Sequence, residues 1–362
     1  MIKGHATAQA AAAYAQRFPA LVEHFRPMLG IPASSIGLGT YLGNHDDRDD
    51  EAYAQALEAA LLGGINVIDT AINYRFQRSE RVIGKVLARL VDNSSIARAQ
   101  VLIATKGGFV PFERDPFGEM EARFIRARLI APDDLVESCH CIAPAFLDAM
   151  IEASRQNLGL ETIDVYYLHN PEMQLAAIER PEFICRMRSA FELLEGKVAD
   201  GRIGVYGTAT WNAYRVAPQS PDYLSLEEMV RLAREVGGSS HHFKVIQLPY
   251  NLAMAEALQF ANQPVGGRAL AVLQAARELE VKVCVSATVL QGRLTQGLPV
   301  GLRAAFPGMK SDAQRAIQFV RSTPGVNVAL VGMKSAAHVR ENLETAARSP
   351  MSPQEFAALV SA

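Results

Sequence analysis

The sequence predicts an α/β fold, a (β/α)8 TIM barrel with long loops on its C-terminal face and an N-terminal helical extension. Three observations lead there. Strand-like apolar runs alternate with amphipathic stretches at a period of roughly forty residues. The runs number eight. Several close on a polar or charged residue, and in a parallel barrel all such ends meet on one face, where catalytic groups belong.

Each element follows from local pattern. Residues 6–26 are alanine-rich but broken by Gln9, Tyr14, Gln16 and Arg17, which makes a poor signal-peptide core and a plausible amphipathic helix. The expected organisation is therefore an extension at 1–30, the barrel at 31–350 and a C-terminal tail at 351–362. The strand runs close at Gly39-Thr40, Asp69, Lys106, His169, Thr208, Tyr250, Ala287 and Gly332. Helical periodicity fills the intervals at 51–62, 79–90, 144–158, 187–199, 226–236, 268–280, 312–321 and 336–347. An open doubly wound sheet fits less well, because Gly37-Leu-Gly39-Thr-Tyr-Leu-Gly43 lacks the Gly-x-Gly-x-x-Gly spacing. Charged residues from His45 to Glu51 then stand where a phosphate-cradling helix start would be. Two segments, 107–144 and 253–268, exceed ordinary connection lengths and are expected to shape a substrate pocket. The first carries Phe109, Phe112 and Phe117 among acids and arginines.

Composition removes several function classes. A chain of 362 residues, 49% hydrophobic and 20% charged, can bury a large core. With a net charge of −2 and no basic stripe interleaved with aromatics, neither nucleic acid nor an anionic membrane is an expected partner. No apolar run approaches the roughly 18 residues of a spanning helix. The four cysteines, at 139, 141, 185 and 284, are too irregular for a disulfide framework and fit a reducing cytoplasm. Cys139-His140-Cys141 lacks a second pair at zinc-finger spacing, so free thiols and no metal are expected.

Four residues carry the chemistry. Asp69 ends Asn66-Val-Ile-Asp69, Tyr74 follows five residues later, Lys106 ends Val-Leu-Ile-Ala-Thr-Lys106 and His169 ends Asp-Val-Tyr-Tyr-Leu-His169. Reducing a carbonyl by hydride transfer leaves an alkoxide that needs a proton, and a phenol of pKa near 10 holds its proton tightly. A lysine ammonium about 4 Å away favours the phenolate by roughly 4 kcal/mol at an effective dielectric of 20. Asp69 would keep Lys106 protonated, and His169 would hydrogen-bond the substrate oxygen or share the proton with Tyr74. The same site can run in either direction. Two other readings remain: a Schiff-base lyase using Lys106, and a cofactor-binding sensor or partner protein with little turnover. The first requires a depressed lysine pKa, which a neighbouring Asp69 opposes.

These residues, with Gly-Ile-Asn-Val-Ile-Asp-Thr-Ala-Ile-Asn-Tyr74 and Ser79-Glu80-Arg-Val-Ile-Gly84-Lys, resemble the aldo-keto reductase superfamily from Gly37 to about Leu343. The resemblance implies a catalytic tetrad of Asp69, Tyr74, Lys106 and His169, and a bound NAD(H) or NADP(H) lying extended across the barrel mouth. It implies a small-molecule carbonyl or sugar substrate and a monomer or small homo-oligomer. Cofactor contacts are implied at Thr40, Thr210, Gln247, Ser286, Gly292 and Gly332. Lys334 and Ser335 would face phosphate, with Glu341 and Asn342 toward adenine. Several positions depart from the superfamily pattern. Thr210 stands where many relatives have Asn, Ser286 where an aromatic often stacks, and His338 where an arginine often clamps a 2′-phosphate. These departures make NAD(H) use plausible and look more like the aldose dehydrogenase branch than the aldose reductases.

Overall fold

The computed structural model describes residues 1–113 and 119–361; Phe117 lies outside the described residues. Eight parallel strands close into a barrel: β3 (Ile36–Gly39), β4 (Val67–Asp69), β5 (Leu102–Gly107), β6 (Ile163–His169), β7 (Ile203–Ala209), β8 (Phe243–Pro249), β11 (Lys282–Ser286) and β12 (Val328–Gly332). Helices connect the barrel strands and flank them at both ends of the chain. They include α1 (Ala8–Ala15), α2 (Asp47–Gly63), α3 (Arg78–Asp92), α4 (Pro144–Leu158), α5 (Arg180–Ala199), α6 (Leu226–Gly237), α7 (Glu256–Gln259), α8 (Val272–Glu278), α9 (Val300–Ala304), α10 (Asp312–Ser322), α11 (Ala336–Ala346) and α12 (Pro353–Ser361).

The strand period places the site. Val67, Leu102, Ala104, Val165, Tyr167, Cys284 and Leu330 line the lumen, so every second residue on these strands faces inward. Asp69, Lys106 and His169 each come two residues after an inward-facing Val67, Ala104 or Tyr167, which aims them at the barrel mouth. Gln247 stands in the same relation to buried Val245 of the inner cluster. The outer faces of the strands pack under the helices in a second, larger apolar cluster.

Three expectations need correction. The N-terminal helix covers only Ala8–Ala15, capped by the Thr7 hydroxyl. Downstream, β1 (Phe25–Met28) and β2 (Ile31–Ser34) pair antiparallel around Leu29-Gly30, whose φ values of 55° and 76° suit a tight hairpin. Pro27 and Pro32 exclude a helix there. The hairpin delivers buried Met28 into the lumen opposite Cys284, closing the barrel floor. Likewise 268–280 is not one helix. Gly266-Gly267, at φ 56° and 79°, turns β9 (Ala261–Val265) into β10 (Arg268–Ala271), and only Val272–Glu278 is helical. Finally, the expected C-terminal tail contains α12, whose Phe356 is buried against Phe319.

Candidate active site

Asp69 is the hub of the barrel mouth. Lys106 Nζ donates to Asp69 Oδ1 at 2.6 Å and to the Thr70 carbonyl at 2.7 Å, and Gln247 Nε2 donates to Asp69 Oδ2 at 2.7 Å. The Lys106 side chain is 0% exposed. Tyr74 lies against the same ammonium, with Nζ 4.9 Å from its ring centroid. The His169 ring stands 5.8 Å from Tyr74, edge on, and Phe109 walls its other side at 4.9 Å. Tyr41, from the turn after β3, meets Tyr74 at 5.0 Å. All four residues of the expected tetrad therefore converge.

Charge states follow from these surroundings. Burial opposes the Lys106 ammonium, but Asp69 and Tyr74 outweigh it and hold the amine above its ordinary value. Burial raises the Tyr74 phenol and Lys106 lowers it, and burial wins. The phenol thus stays above its usual value, not below it as the lysine alone would place it. His169 is pushed well below its usual range by burial, then by the Lys106 charge, and is neutral at pH 7.

The loops around this centre are tied down. Arg75, Phe76 and Gln77 take left-handed φ values of 51°, 53° and 66°, a strain of about 1–3 kcal/mol each that surrounding contacts must offset. Arg75 does so from a buried position, donating to the Asn44 carbonyl at 2.8 Å and Asp50 Oδ1 at 2.6 Å while its guanidinium stacks over Tyr53. Gln77 and Arg81 hold Glu113, anchoring the start of the long loop after β5. The far end of that loop brings in buried His140, whose Nε2 donates to the His169 carbonyl at 2.7 Å. Gln174 Nε2 donates to His140 Nδ1 at 2.9 Å, which fixes the tautomer with hydrogen on Nε2. Gly108, at φ 145°, makes the fit possible, because a Cβ there would lie 2.7 Å from the His169 oxygen. Cys139 and Cys141 are free thiols.

The remaining expected site residues divide by place. Thr40 donates to Thr70 Oγ1 at 2.9 Å beneath the mouth. Thr210, just beyond β7, has a buried hydroxyl without a partner among the described residues, as do His169 Nδ1 and Asn73 Oδ1. Buried polar atoms left unpaired around one mouth suit a ligand that brings its own donors and acceptors, such as a carboxamide. Ser286 accepts from the Tyr250 amide through its carbonyl, and Gly292 sits in an exposed turn at φ 90°. On the other side of the ring, Gly332 ends β12 and Ser335 caps α11 by accepting from the His338 amide at 3.3 Å. Lys334 does not stand free: both oxygens of Asp49 hold it, at 2.9 and 3.0 Å. Glu341 accepts from the Ser311 hydroxyl, Asn342 is buried and His338 is exposed. Thr210 and Gln247 thus adjoin the tetrad, whereas 332–342 forms a separate group two strands from β4.

Sequence reasoning passed over Asp49, Asn73 and the role of His140. Asp49 and His140 act through partners far along the chain, which no local spacing reveals.

Comparison with known proteins places these features in context. Residues 35–247 match the Aldo/keto reductase family. An NADH-specific methylglyoxal reductase of Escherichia coli (strain K12) is 28% identical over 206 residues, covering 55% of this chain and 54% of that protein. A D-threo-aldose 1-dehydrogenase of Pseudomonas sp is 33% identical over 187 residues, covering 50% and 49%. The chain thus spans about half the length of these curated relatives. Among solved structures, an aldo-keto reductase from Bacillus halodurans in its holo form superposes with a TM-score of 0.64 at 19% identity, over 92% of this chain and 93% of its own. That likeness is one of fold.

Proposed function

The chain belongs to the aldo/keto reductase family, and from that premise we propose that it is a NAD(P)(H)-dependent oxidoreductase interconverting a carbonyl and an alcohol, with Tyr74 as general acid and base. The observation that carries this reading is the closed chain from Gln247 through Asp69 and Lys106 to Tyr74. A bound nicotinamide would supply or accept the hydride, because no side chain can. Thr210 and Gln247 would hold its carboxamide, and the group at 332–342 its adenosine phosphates.

The protein's own groups manage the proton. Tyr74, protonated at neutral pH, donates its hydroxyl hydrogen to the carbonyl oxygen as negative charge develops there. Lys106, kept cationic by Asp69, stabilises the phenolate that remains. His169, neutral, donates a hydrogen bond to the same oxygen and fixes its approach. In the alcohol-oxidising direction the phenolate takes the hydroxyl proton instead. A Schiff-base role for Lys106 is disfavoured, since the amine is held in its charged form. The substrate is an aldehyde, ketone or sugar. Tyr41 and Trp211, 57% and 44% exposed, offer ring faces to it, and the Pseudomonas relative named for aldose oxidation supports the sugar class.

Tyr74→Phe tests the assignment. Turnover is expected to fall by about 10²–10⁴-fold while NADH and NADPH still bind in a fluorescence titration. Retained turnover would remove Tyr74 from the chemistry; a wild-type protein that binds cofactor but turns over no carbonyl or sugar would favour the sensor reading.

A further inference from the structure

We propose that Asp49 determines cofactor choice by withholding Lys334 from a 2′-phosphate, so that the protein selects NAD(H) over NADP(H). The proposal rests on the oxidoreductase reading above. Lys334 lies in the turn between β12 and α11, while Asp49 lies in the first turn of α2. The pair joins two segments 285 positions apart. Its geometry is asymmetric. Lys334, just past the C-terminal end of β12, is 44% exposed, whereas Asp49 is 6% exposed.

Asp49 is fixed in that place. Its Oδ2 accepts from the Asn44 amide at 2.6 Å, and its own amide donates to Asp46. Gly43, at φ 128°, leaves room for it, because a Cβ there would lie 2.8 Å from Oδ2. An ammonium has three donors, and two of those on Lys334 are taken by one carboxylate. The one left over is enough for a single phosphate oxygen of a pyrophosphate. A 2′-phosphate brings nearly two further negative charges and would have to sit beside Asp49 to reach Lys334.

The two nearest arginines of this segment are already engaged. Arg75 is paired with Asp50, and Arg78 with both Asp47 and Asp50. Lys334, Arg75 and Arg78 are therefore each already paired with a carboxylate among Asp47, Asp49 and Asp50. A ribose 2′-hydroxyl suits such a rim, since it asks for no positive field and can donate to a carboxylate.

The experiment titrates NADH and NADPH in parallel, following Trp211 quenching, against the wild type, Asp49→Asn, Lys334→Gln and the double variant. The wild type is expected to bind NADH more tightly. Asp49→Asn should shift the NADPH-to-NADH affinity ratio toward NADPH by tenfold or more, by freeing the lysine and removing the opposing charge. The double variant should return the ratio to within about threefold of wild type, since the gain needs the lysine; tenfold corresponds to about 1.4 kcal/mol. A wild type that prefers NADPH, or an Asp49→Asn ratio equal to wild type in a protein of unchanged Tm, overturns the proposal alone. Persistence of the gain without Lys334 also overturns it. Failure of the wild type to bind either cofactor overturns both this and the oxidoreductase reading.

Discussion

The strand ends that carry Asp69, Lys106 and Gln247 and the turn that carries Lys334 and Ser335 are built on different terms. At the first, each polar atom is buried and bonded to another strand end, so its position is set by barrel register. At the second, the side chains are partly or largely exposed and are held by a loop and a helix start. On the proposed reading, chemistry that tolerates little displacement would sit on the rigid part, and selection among similar ligands on the adjustable part.

The largest test of this contrast is Asp69→Asn. Removing one partner of the buried pair leaves Lys106 charged and poorly compensated, with an expected loss of about 3–5 kcal/mol in denaturant unfolding, along with activity. A loss under about 1 kcal/mol would break the comparison, since the strand-end pair would then behave as a surface pair.

Acid stability probes the support beneath His169. His140 has its pKa depressed to about 4, by burial above all, against an ordinary value near 6.5. Between these values the unfolded chain binds a proton that the folded protein does not, so stability is retained above pH 6.5 and falls as pH drops toward 4. The expected decline from this group is of the order of 3 kcal/mol. His24, buried and lowered to about 3, adds a decline of the same sign. A His140→Gln variant should flatten the curve measured by unfolding at about pH 7 and about pH 4.5; an unchanged slope would show that His140 titrates normally.

The smallest effect belongs to the exposed side. Lys334→Gln is expected to change folding stability by about 0–1 kcal/mol, because half of the pair is open to solvent. A loss comparable to that of Asp69→Asn would erase the distinction between the two regions.

Much of the first region was legible from sequence for a physical reason. A charged residue that ends an apolar strand run has few places to go except the barrel mouth, so Asp69, Lys106 and His169 announced both their strands and their meeting point. The hairpin at 25–34 was hidden because its short, proline-containing strands show no clean alternation. The Gly266-Gly267 turn was available as a signal but was absorbed into a helical reading of residues 268–280. Ser352-x-x-Glu355 was likewise available as a capping-box signal within the segment read as a C-terminal tail, and the two residues do hydrogen-bond reciprocally at the start of α12. Asp49 with Lys334, and His140 with the His169 carbonyl, are pairings made by tertiary structure alone. His140 in particular looked like one member of a loop thiol cluster, yet it lies at 0% exposure.

The plug formed by Met28 under the barrel has a consequence for traffic. With Met28 packed at the lower end against Cys284 and side chains such as Val67, Ala104 and Tyr167 filling the lumen, the site is approached from the C-terminal face, where Tyr41 lies on Tyr74 and Phe109 on His169. For a cofactor and substrate that share this approach, as proposed above, the molecule that lies deeper would arrive first and depart last.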